Sequence, residues 1–342
     1  DLERRREPMR DGNGRKIDYI RISVTDRCNL RCRYCMPEEG IDLMRHEDIL
    51  TYQEILKIAE TGARLGIRRV KVTGGEPLVR KGVSQLIREL NAIEGMEDVT
   101  LTTNGLLLGD MAPELAEAGL SSVNVSLDTL DPERFSQITR RDRFADVMKG
   151  IESAVRSGLK VKINCAVMEH LSREDVLAFA EYSVKSGIPV RFIEMMPIGQ
   201  GRKYHAMDNE ELLEILSEEY GDLRESTEPR GNGPAVYYTY ASGAGCIGLI
   251  SAVHHKFCGS CNRVRLTSDG FLKLCLDSPA GVDLRTPLRS GVSDEELRGL
   301  MEQWIRVKPE SHHFLSSEGC EGELPLSDGT TEKCLNMNQI GG

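Results

Sequence analysis

Two groups of cysteines carry the first chemical signal in this chain of 342 residues. Cys28, Cys32 and Cys35 lie within eight residues, directly after a strand-like run, Tyr19-Ile20-Arg21-Ile22-Ser23-Val24. Thiols this close behind an apolar strand suit metal ligation, because one loop can converge soft thiolates on an ion or a cluster. Three ligands complete neither a tetrahedral zinc site nor a four-iron cluster. An iron without a protein ligand can hold a small molecule, so a short set points to chemistry rather than scaffolding. The alternatives are a zinc site with its fourth ligand elsewhere, or chance clustering. Cys258-Gly259-Ser260-Cys261, with Cys275 fourteen residues past Cys261, makes a second set of three. A zinc ribbon would pair this C-x-x-C with another, and none follows it. Beside it, in Asn262-Arg263-Val264-Arg265, an extended backbone turns Arg263 and Arg265 to one face. Two guanidiniums there suit a phosphate clamp. A solvated basic edge is the alternative.

The elements that must position these groups follow from apolar periodicity. Thr51-Tyr52-Gln53-Glu54 reads as a capping box opening an amphipathic helix that runs to about Leu65 and stops at Gly66. Strand runs follow at Arg69–Thr73, Val99–Thr103, Ser122–Ser126, Val161–Val167 and Val190–Glu194. Helices fall over Val83–Asn91, Pro113–Ala118, Phe144–Ser157 and Glu174–Ser186. With the opening strand these make six strand–helix units at a spacing of about 25–35 residues. The pattern predicts an α/β fold, an open, partial (β/α)6 TIM-like barrel whose missing wall another part must supply. The thiol loop, Gly74-Gly75-Glu76-Pro77, Thr102–Gly105, Ser126–Asp128 and Met195–Pro197 all fall at C-terminal strand ends, where parallel βα folds build their sites. Beyond Pro197, Asp208–Tyr220 reads as one more helix and Arg230–Pro234 as a loop. Residues 1–16 read as a mobile arm, 17–200 as the barrel core and 201–342 as a C-terminal region. The final Gly341-Gly342 has no side chains to keep it out of a narrow pocket.

A net charge of −10 argues against broad nucleic-acid binding but leaves room for a local basic pocket. With 39% hydrophobic and 29% charged residues, the chain can bury a real core. No apolar run is long enough to span a bilayer, and the basic N-terminus lacks a signal-peptide core, so the expected address is cytoplasmic. The absence of a starting methionine suggests that the numbering begins on a trimmed chain. In a reducing compartment ligation is a better reading of ten cysteines than disulfides. Cys165 and Cys246 sit singly in apolar runs as buried thiols, and Cys320 and Cys334 have no assigned role.

Cys28-x-x-x-Cys32-x-x-Cys35 resembles the radical S-adenosylmethionine (SAM) signature, and Gly74-Gly75-Glu76-Pro77 that superfamily's methionine-binding turn. Adding the second triad, Asn262-Arg263-Val264-Arg265, Thr103-Asn104-Gly105 and the diglycine end, the chain resembles the GTP 3′,8-cyclase family of molybdenum cofactor biosynthesis from about Tyr19 to Gly342. The resemblance implies a radical SAM partial barrel, closed by a C-terminal extension that carries a second iron–sulfur cluster. It implies two [4Fe–4S] clusters, the first ligated by Cys28, Cys32 and Cys35 and the second by Cys258, Cys261 and Cys275. The first binds SAM through its open iron. The 5′-deoxyadenosyl radical released on one-electron cleavage takes the ribose 3′ hydrogen of GTP, and the ribose radical adds to guanine C8, giving 3′,8-cyclo-7,8-dihydro-GTP. The second cluster holds the guanine end of GTP.

Carried over by position, Tyr34, Gly75, Ser126 and Met196 resemble the SAM contacts. Arg21, Lys71, Thr102, Lys162, Arg191, Arg263, Val264 and Arg265 resemble the GTP contacts, Val264 through its backbone. At position 71 the resemblance asks for a basic residue, and Lys supplies a point charge rather than a fork. Gly341 and Gly342 would reach the active site. The resemblance further implies a homodimer, an external one-electron reductant, transfer of product to the cyclic pyranopterin monophosphate synthase, and no nucleic-acid or membrane partner. His312, His313, Cys320 and Cys334 have no family counterpart. Packing roles stand beside these readings: Tyr34 and Met196 as core filler, Arg21 and Lys162 as snorkelling strand residues. Two competing functions remain, a radical SAM enzyme with an auxiliary cluster acting on a peptide, and a zinc-stabilised nucleotide-binding module without chemistry.

Overall fold

Alternation along the strands decides the architecture of the chain, whose computed structural model describes all residues but 1–7, 169–170, 205–206, 229, 241–242, 244, 315–339 and 341–342. Strands β1 (Tyr19–Ser23), β2 (Arg69–Thr73), β3 (Asp98–Thr103), β4 (Ser122–Ser126), β5 (Lys160–Val167) and β6 (Val190–Glu194) lie side by side in chain order, all parallel. One face carries residues such as Ile20, Val72, Leu101, Val123, Ile163 and Phe192, each at most 1% exposed. Helices α1 (Tyr52–Arg64), α2 (Val83–Asn91), α3 (Leu108–Glu117), α4 (Pro132–Thr139), α5 (Phe144–Arg156) and α6 (Arg173–Ser186) connect the strands, and their buried residues join the same apolar core. The alternate residues, Arg21, Lys71, Thr102, Asn124, Lys162 and Arg191 among them, are polar and line a lumen. This period of two separates core from site.

The expected strands and capping box are present. The Thr51 hydroxyl accepts the Glu54 N–H at 3.2 Å, and the Glu54 carboxylate accepts the Thr51 N–H at 2.7 Å. Helix α3 starts at Leu108, five residues before the expected Pro113, which lies inside it. A proline has no N–H for the carbonyl four residues back. That carbonyl, of Gly109, instead accepts the Ser153 hydroxyl of α5 at 2.8 Å. Helix α4 was not expected, although Asp131 caps it by accepting the Arg134 N–H at 2.7 Å, with Pro132 at its first position.

The C-terminal region comprises α7 (Asn209–Tyr220), β7 (Leu223–Ser226), β8 (Val236–Tyr240), β9 (Ile247–Ile250), β10 (Arg263–Leu266), β11 (Phe271–Lys273), β12 (Gly281–Asp283), α8 (Arg285–Arg289) and α9 (Asp294–Arg306). It supplies the missing wall on both sides. The sheet runs β12-β11-β10-β1-β2-β3-β4-β5-β6-β9-β8-β7, with β10 parallel to β1 and β9 parallel to β6. A boundary at residue 200 therefore divides the chain but not the sheet.

Residues 9–16, expected as part of a mobile arm, are pinned instead. Met9 N–H donates to the Leu65 carbonyl at 3.1 Å, Gly12 N–H to Arg306 at 2.7 Å, and the buried Asp11 carboxylate pairs with buried Arg15 at 2.6 Å. No helix among the described residues is long and apolar enough to cross a membrane.

Phe192 packs edge-to-face on Phe179 of α6, centroids 5.9 Å apart. Phe192→Ala is expected to cost about 3–5 kcal/mol, read from chemical denaturation; a loss under about 1 kcal/mol would contradict its place in the core.

Candidate active site

The first thiol loop is held from two sides. On one side, strand β2 is followed by Gly74-Gly75-Glu76, whose backbone is zipped to the segment that leads into Cys28. Gly75 N–H donates to the Thr25 carbonyl at 2.6 Å, and Glu76 N–H to the Arg27 carbonyl at 2.7 Å. A Cβ on Gly74 would lie 2.8 Å from the Thr25 carbonyl oxygen, and one on Gly75 2.6 Å from that of Asp26. Glycine is required at both positions for this approach. On the other side, Arg31 N–H and Arg33 N–H donate to the Thr139 and Ile138 carbonyls at the end of α4, both at 3.0 Å. Arg140, left-handed at φ 57°, sends its guanidinium back to the Arg31 carbonyl at 2.8 Å.

Glu76 braces the turn from within. Its buried carboxyl accepts the Leu78 N–H at 2.9 Å and, from the end of β3, the Thr103 hydroxyl and Asn104 N–H, both at 2.7 Å. Burial outweighs these donors and raises its pKa to about 7. Asn104 donates to Asn29 Oδ1 at 2.7 Å and approaches Cys28 Sγ at 3.8 Å. Burial raises the Cys28 thiol to about 11, with the Glu76 charge adding to it. Burial, then the charges of Cys35, Asp128 and Cys28, raises Cys32 well above the ordinary thiol value.

The second triad is assembled by a hairpin. Strands β10 and β11 pair with Arg265 opposite Lys273, and Cys275 lies two residues past that pair, on the chain returning toward the start of β10. Cys261 stands two residues before β10, with Asn262 between. Its surroundings are cationic: burial alone would raise its thiol, but Lys308, Arg263 and Arg15 outweigh burial and lower it. Since β10 runs parallel to β1, its leading loop lies at the strands' N-terminal end, while Cys28 follows the C-terminal end of β1.

A chamber of about 280 Å³ links the two ends. Tyr34, Ser126, Asp128 and Met196 line it beside the first loop; Cys258, Cys261 and Cys275 line it at the other end. Arg21, Lys71, Thr102, Lys162, Arg191, Arg263 and Arg265 also line it, so these residues share one lumen. Cys28, Cys32 and Cys35 themselves lie outside the lining. Gly75 is also outside it, with its N–H engaged and only its carbonyl available to a ligand. Val264 faces the apolar core, fully buried, so only its backbone could serve a ligand. Gly341, Gly342, Cys320 and Cys334 lie outside the described residues.

The lumen is rich in positive charge. Burial, then Arg191, Arg21 and Lys162, holds the Lys71 pKa well below the usual lysine value. Burial and Arg191 lower Lys162 to about 8. The Nε atoms of Arg191 and Arg263 are buried without a hydrogen-bond partner among the described residues. Such a wall suits a polyanion. Among the described residues no group of three or more His, Cys, Asp or Glu side chains is arranged to hold a metal ion directly. A cluster, by contrast, spreads its thiolates over several irons, and two sets of three thiols suit that arrangement.

Sequence reasoning missed several groups here. Asp128 accepts the Tyr34 hydroxyl at 2.8 Å and the Ala166 N–H at 2.8 Å, and burial raises it to about 6. Lys308 and His312 line the chamber beside the second triad, although no motif marks them. A lone buried lysine in a polar tail carries no spacing signal.

Residues 22–183 match the radical SAM superfamily, and residues 188–314 the Molybdenum Cofactor Synthesis C family. The GTP 3′,8-cyclase of Clostridium perfringens (strain SM101 / Type A) is 45% identical over 310 residues, covering 91% of this chain and 96% of its own. That of Heliobacterium modesticaldum is 45% identical over 338 residues, 98% of this chain and 100% of its own. Among solved structures, Streptococcus suis SuiB bound to the precursor peptide SuiA shares the fold, with a TM-score of 0.58 at 14% identity over 89% of this chain and 76% of that one.

Gly75→Ala should push the Asp26–Arg27 backbone away and carry the Cys28 loop with it. The expected outcome is a severalfold loss of bound iron per chain after anaerobic reconstitution. Iron equal to the parent would contradict the close-approach argument.

Proposed function

The chain belongs to the GTP 3′,8-cyclase family of the radical SAM superfamily, and on that premise we propose that its lumen is a two-ended reaction chamber, with SAM at the Cys28–Cys35 end and GTP at the Cys258–Cys275 end. The activity is that of the family, a radical SAM lyase converting GTP to 3′,8-cyclo-7,8-dihydro-GTP in molybdenum cofactor biosynthesis. The observation that carries the two-ended reading is the single chamber running from Tyr34 to Cys261 past six cationic strand residues.

In this reading Cys28, Cys32 and Cys35 hold one [4Fe–4S] cluster, and Cys258, Cys261 and Cys275 hold a second. Bound at the first triad, the cluster and SAM supply a one-electron cleavage that yields a hydrogen-abstracting radical. The chain's own residues do the rest. Tyr34, fixed by Asp128, with Ser126, Met196 and the Gly75 carbonyl, orients SAM toward the lumen. Arg21, Lys71, Lys162, Arg191, Arg263 and Arg265 take the triphosphate, and Thr102 and the Val264 backbone take the neutral parts of the nucleotide. The buried wall keeps water from the ribose radical. The reductant is external, the assembly is a homodimer and the product passes to the cyclic pyranopterin monophosphate synthase. The peptide alternative is not favoured: the relatives are named for GTP cyclisation, and a lumen this cationic suits a triphosphate.

The test is anaerobic incubation with SAM, a reductant and either GTP or a peptide, with iron analysis alongside. A cyclised nucleotide isomeric with GTP and about eight irons per chain are expected. Turnover of the peptide alone, or about four irons, would refute the substrate or the second cluster respectively.

Lys162 gives a pH dependence. Its depressed value of about 8 means that the ammonium is lost as pH rises through 8, well before an exposed lysine would lose it. GTP affinity is expected to fall between pH 7 and 9, measured as a dissociation constant without turnover. In Lys162→Arg, charged throughout this range, that fall should be reduced; an unchanged pH profile would exclude Lys162 as a phosphate contact.

A further inference from the structure

The N-terminal turn contains a buried ion pair that no part of the reaction described above uses. Asp11 and Arg15 are both at most 9% exposed. Asp11 accepts the Arg15 N–H at 2.9 Å and its Nε–H at 2.6 Å, which fixes the plane of the guanidinium. The other two nitrogens of the fork serve only backbone carbonyls. Nη1 donates to Cys258 at 2.9 Å and to Glu310 at 2.8 Å; Nη2 donates to Pro309 at 2.6 Å and reaches Lys308 at 3.4 Å. One side chain thus joins the first cysteine of the second triad to the segment over residues 308–310. Asn13 adds a bond from its Nδ2 to the Lys308 carbonyl at 3.0 Å, and Gly12 N–H one to Arg306. A Cβ on Gly12 would lie 2.7 Å from the Arg306 carbonyl oxygen, so the turn sits hard against the end of α9.

What this segment carries matters to the chamber. Lys308 is 3% exposed, lines the lumen and donates from its Nζ to the Leu274 carbonyl, next to Cys275. His312, also in the lining, is held through its carbonyl by Lys256 at 3.2 Å, and His313 N–H donates to Asp277 at 2.8 Å. The segment therefore closes over the second triad from Cys258 to Asp277, and two side chains tie it to the Cys258 loop, Arg15 at residues 308–310 and Lys256 at His312. A single cation satisfying several carbonyls in fixed directions requires a planar fork, which lysine lacks.

We propose that Arg15, braced by Asp11, is the positioning residue of the second triad, locking the Cys258 loop to the 308–310 segment so that Lys308 and His312 form the chamber wall beside the three cysteines. The claim rests on the reading of that end as the GTP site. It goes beyond that reading by making residues 11–15 part of the site's construction.

The test uses the full chain, reconstituted anaerobically, with equilibrium binding of SAM and of GTP measured separately and iron counted. Arg15→Met keeps the apolar stem, and Arg15→Lys keeps the charge without the fork. Both variants are expected to bind SAM within twofold of the parent and GTP about tenfold more weakly or worse, since carbonyls bound by a charged donor are left unpaired. GTP affinity within twofold of the parent overturns the proposal, as does parallel loss of SAM and GTP binding, which marks a general stability effect. Rescue by Arg15→Lys also overturns it, because charge alone would then suffice. If the Arg15 variants cannot be purified, Asn13→Ser removes only the tie to Lys308. A drop of about threefold in GTP affinity is then expected, and no drop refutes the idea. If the parent itself fails to bind GTP, the substrate reading fails instead. The clamp is then read from iron alone, where Arg15→Met should retain about four irons while the parent holds about eight, and equal contents overturn it.

Discussion

Burying positive charge on one face of a sheet whose other face is apolar is the constraint on which this structure turns. Isolated cations in a protein interior are costly unless they are paired or meet a ligand. Arg21, Lys71, Lys162, Arg191, Arg263, Arg265 and Lys308 share the lumen with three acids in its lining, Asp98, Asp128 and Glu194. Asp128 is occupied by Tyr34 and Ala166, and Glu194 by the Val253 N–H at 2.6 Å and by His254. Asp98 is left to face the lysines, and it too accepts from Asn232 at 2.6 Å. The apolar face, packed under six helices, must supply the stability that the polar face withholds. A bound polyanion would relieve the repulsion, so ligand affinity and fold stability are linked through the same side chains.

Much of this was readable from residue order. Residue runs located β1 to β6, and the resemblance picked out Arg21, Lys71, Lys162 and Arg191 by position; that they take one side of the strands and Ile20, Val72, Ile163 and Phe192 the other is what the structure adds. The two triads were visible because ligand sets are defined by spacing, and the β10 segment was visible because two arginines alternate. The capping box of α1 was likewise exact in its residues, since such a box is a local interaction.

What escaped was non-local. The short strands β7, β8, β9, β11 and β12 have three to five residues each and little alternation to detect. Helix α4 has a legible start, Asp131-Pro132, but only eight residues, so its apolar period is brief. That omission hid the helix end that anchors the Cys28 loop. Residues 9–16 looked mobile because charge and glycine usually signal solvation; nothing local shows that Arg15 has carbonyl partners about 240 and 300 residues away in sequence. The role of Glu76 was similarly hidden, since its partners lie at the end of the next strand.

The pairing of β1 with β10 has a consequence for how the chain is made. Tyr19 meets Arg263 across the sheet, so the first strand must wait for nearly three quarters of the polypeptide before its second neighbour exists. At translation speeds of about 5–20 residues per second, the delay is roughly 10–50 s. In the later part of it, once β2, β3 and α4 have emerged, the first cysteine loop has its neighbours while the far end of the lumen is still unwalled. Vectorial synthesis therefore completes the surroundings of the Cys28 loop before the Cys258 loop exists, although in the finished molecule one chamber runs between the two ends.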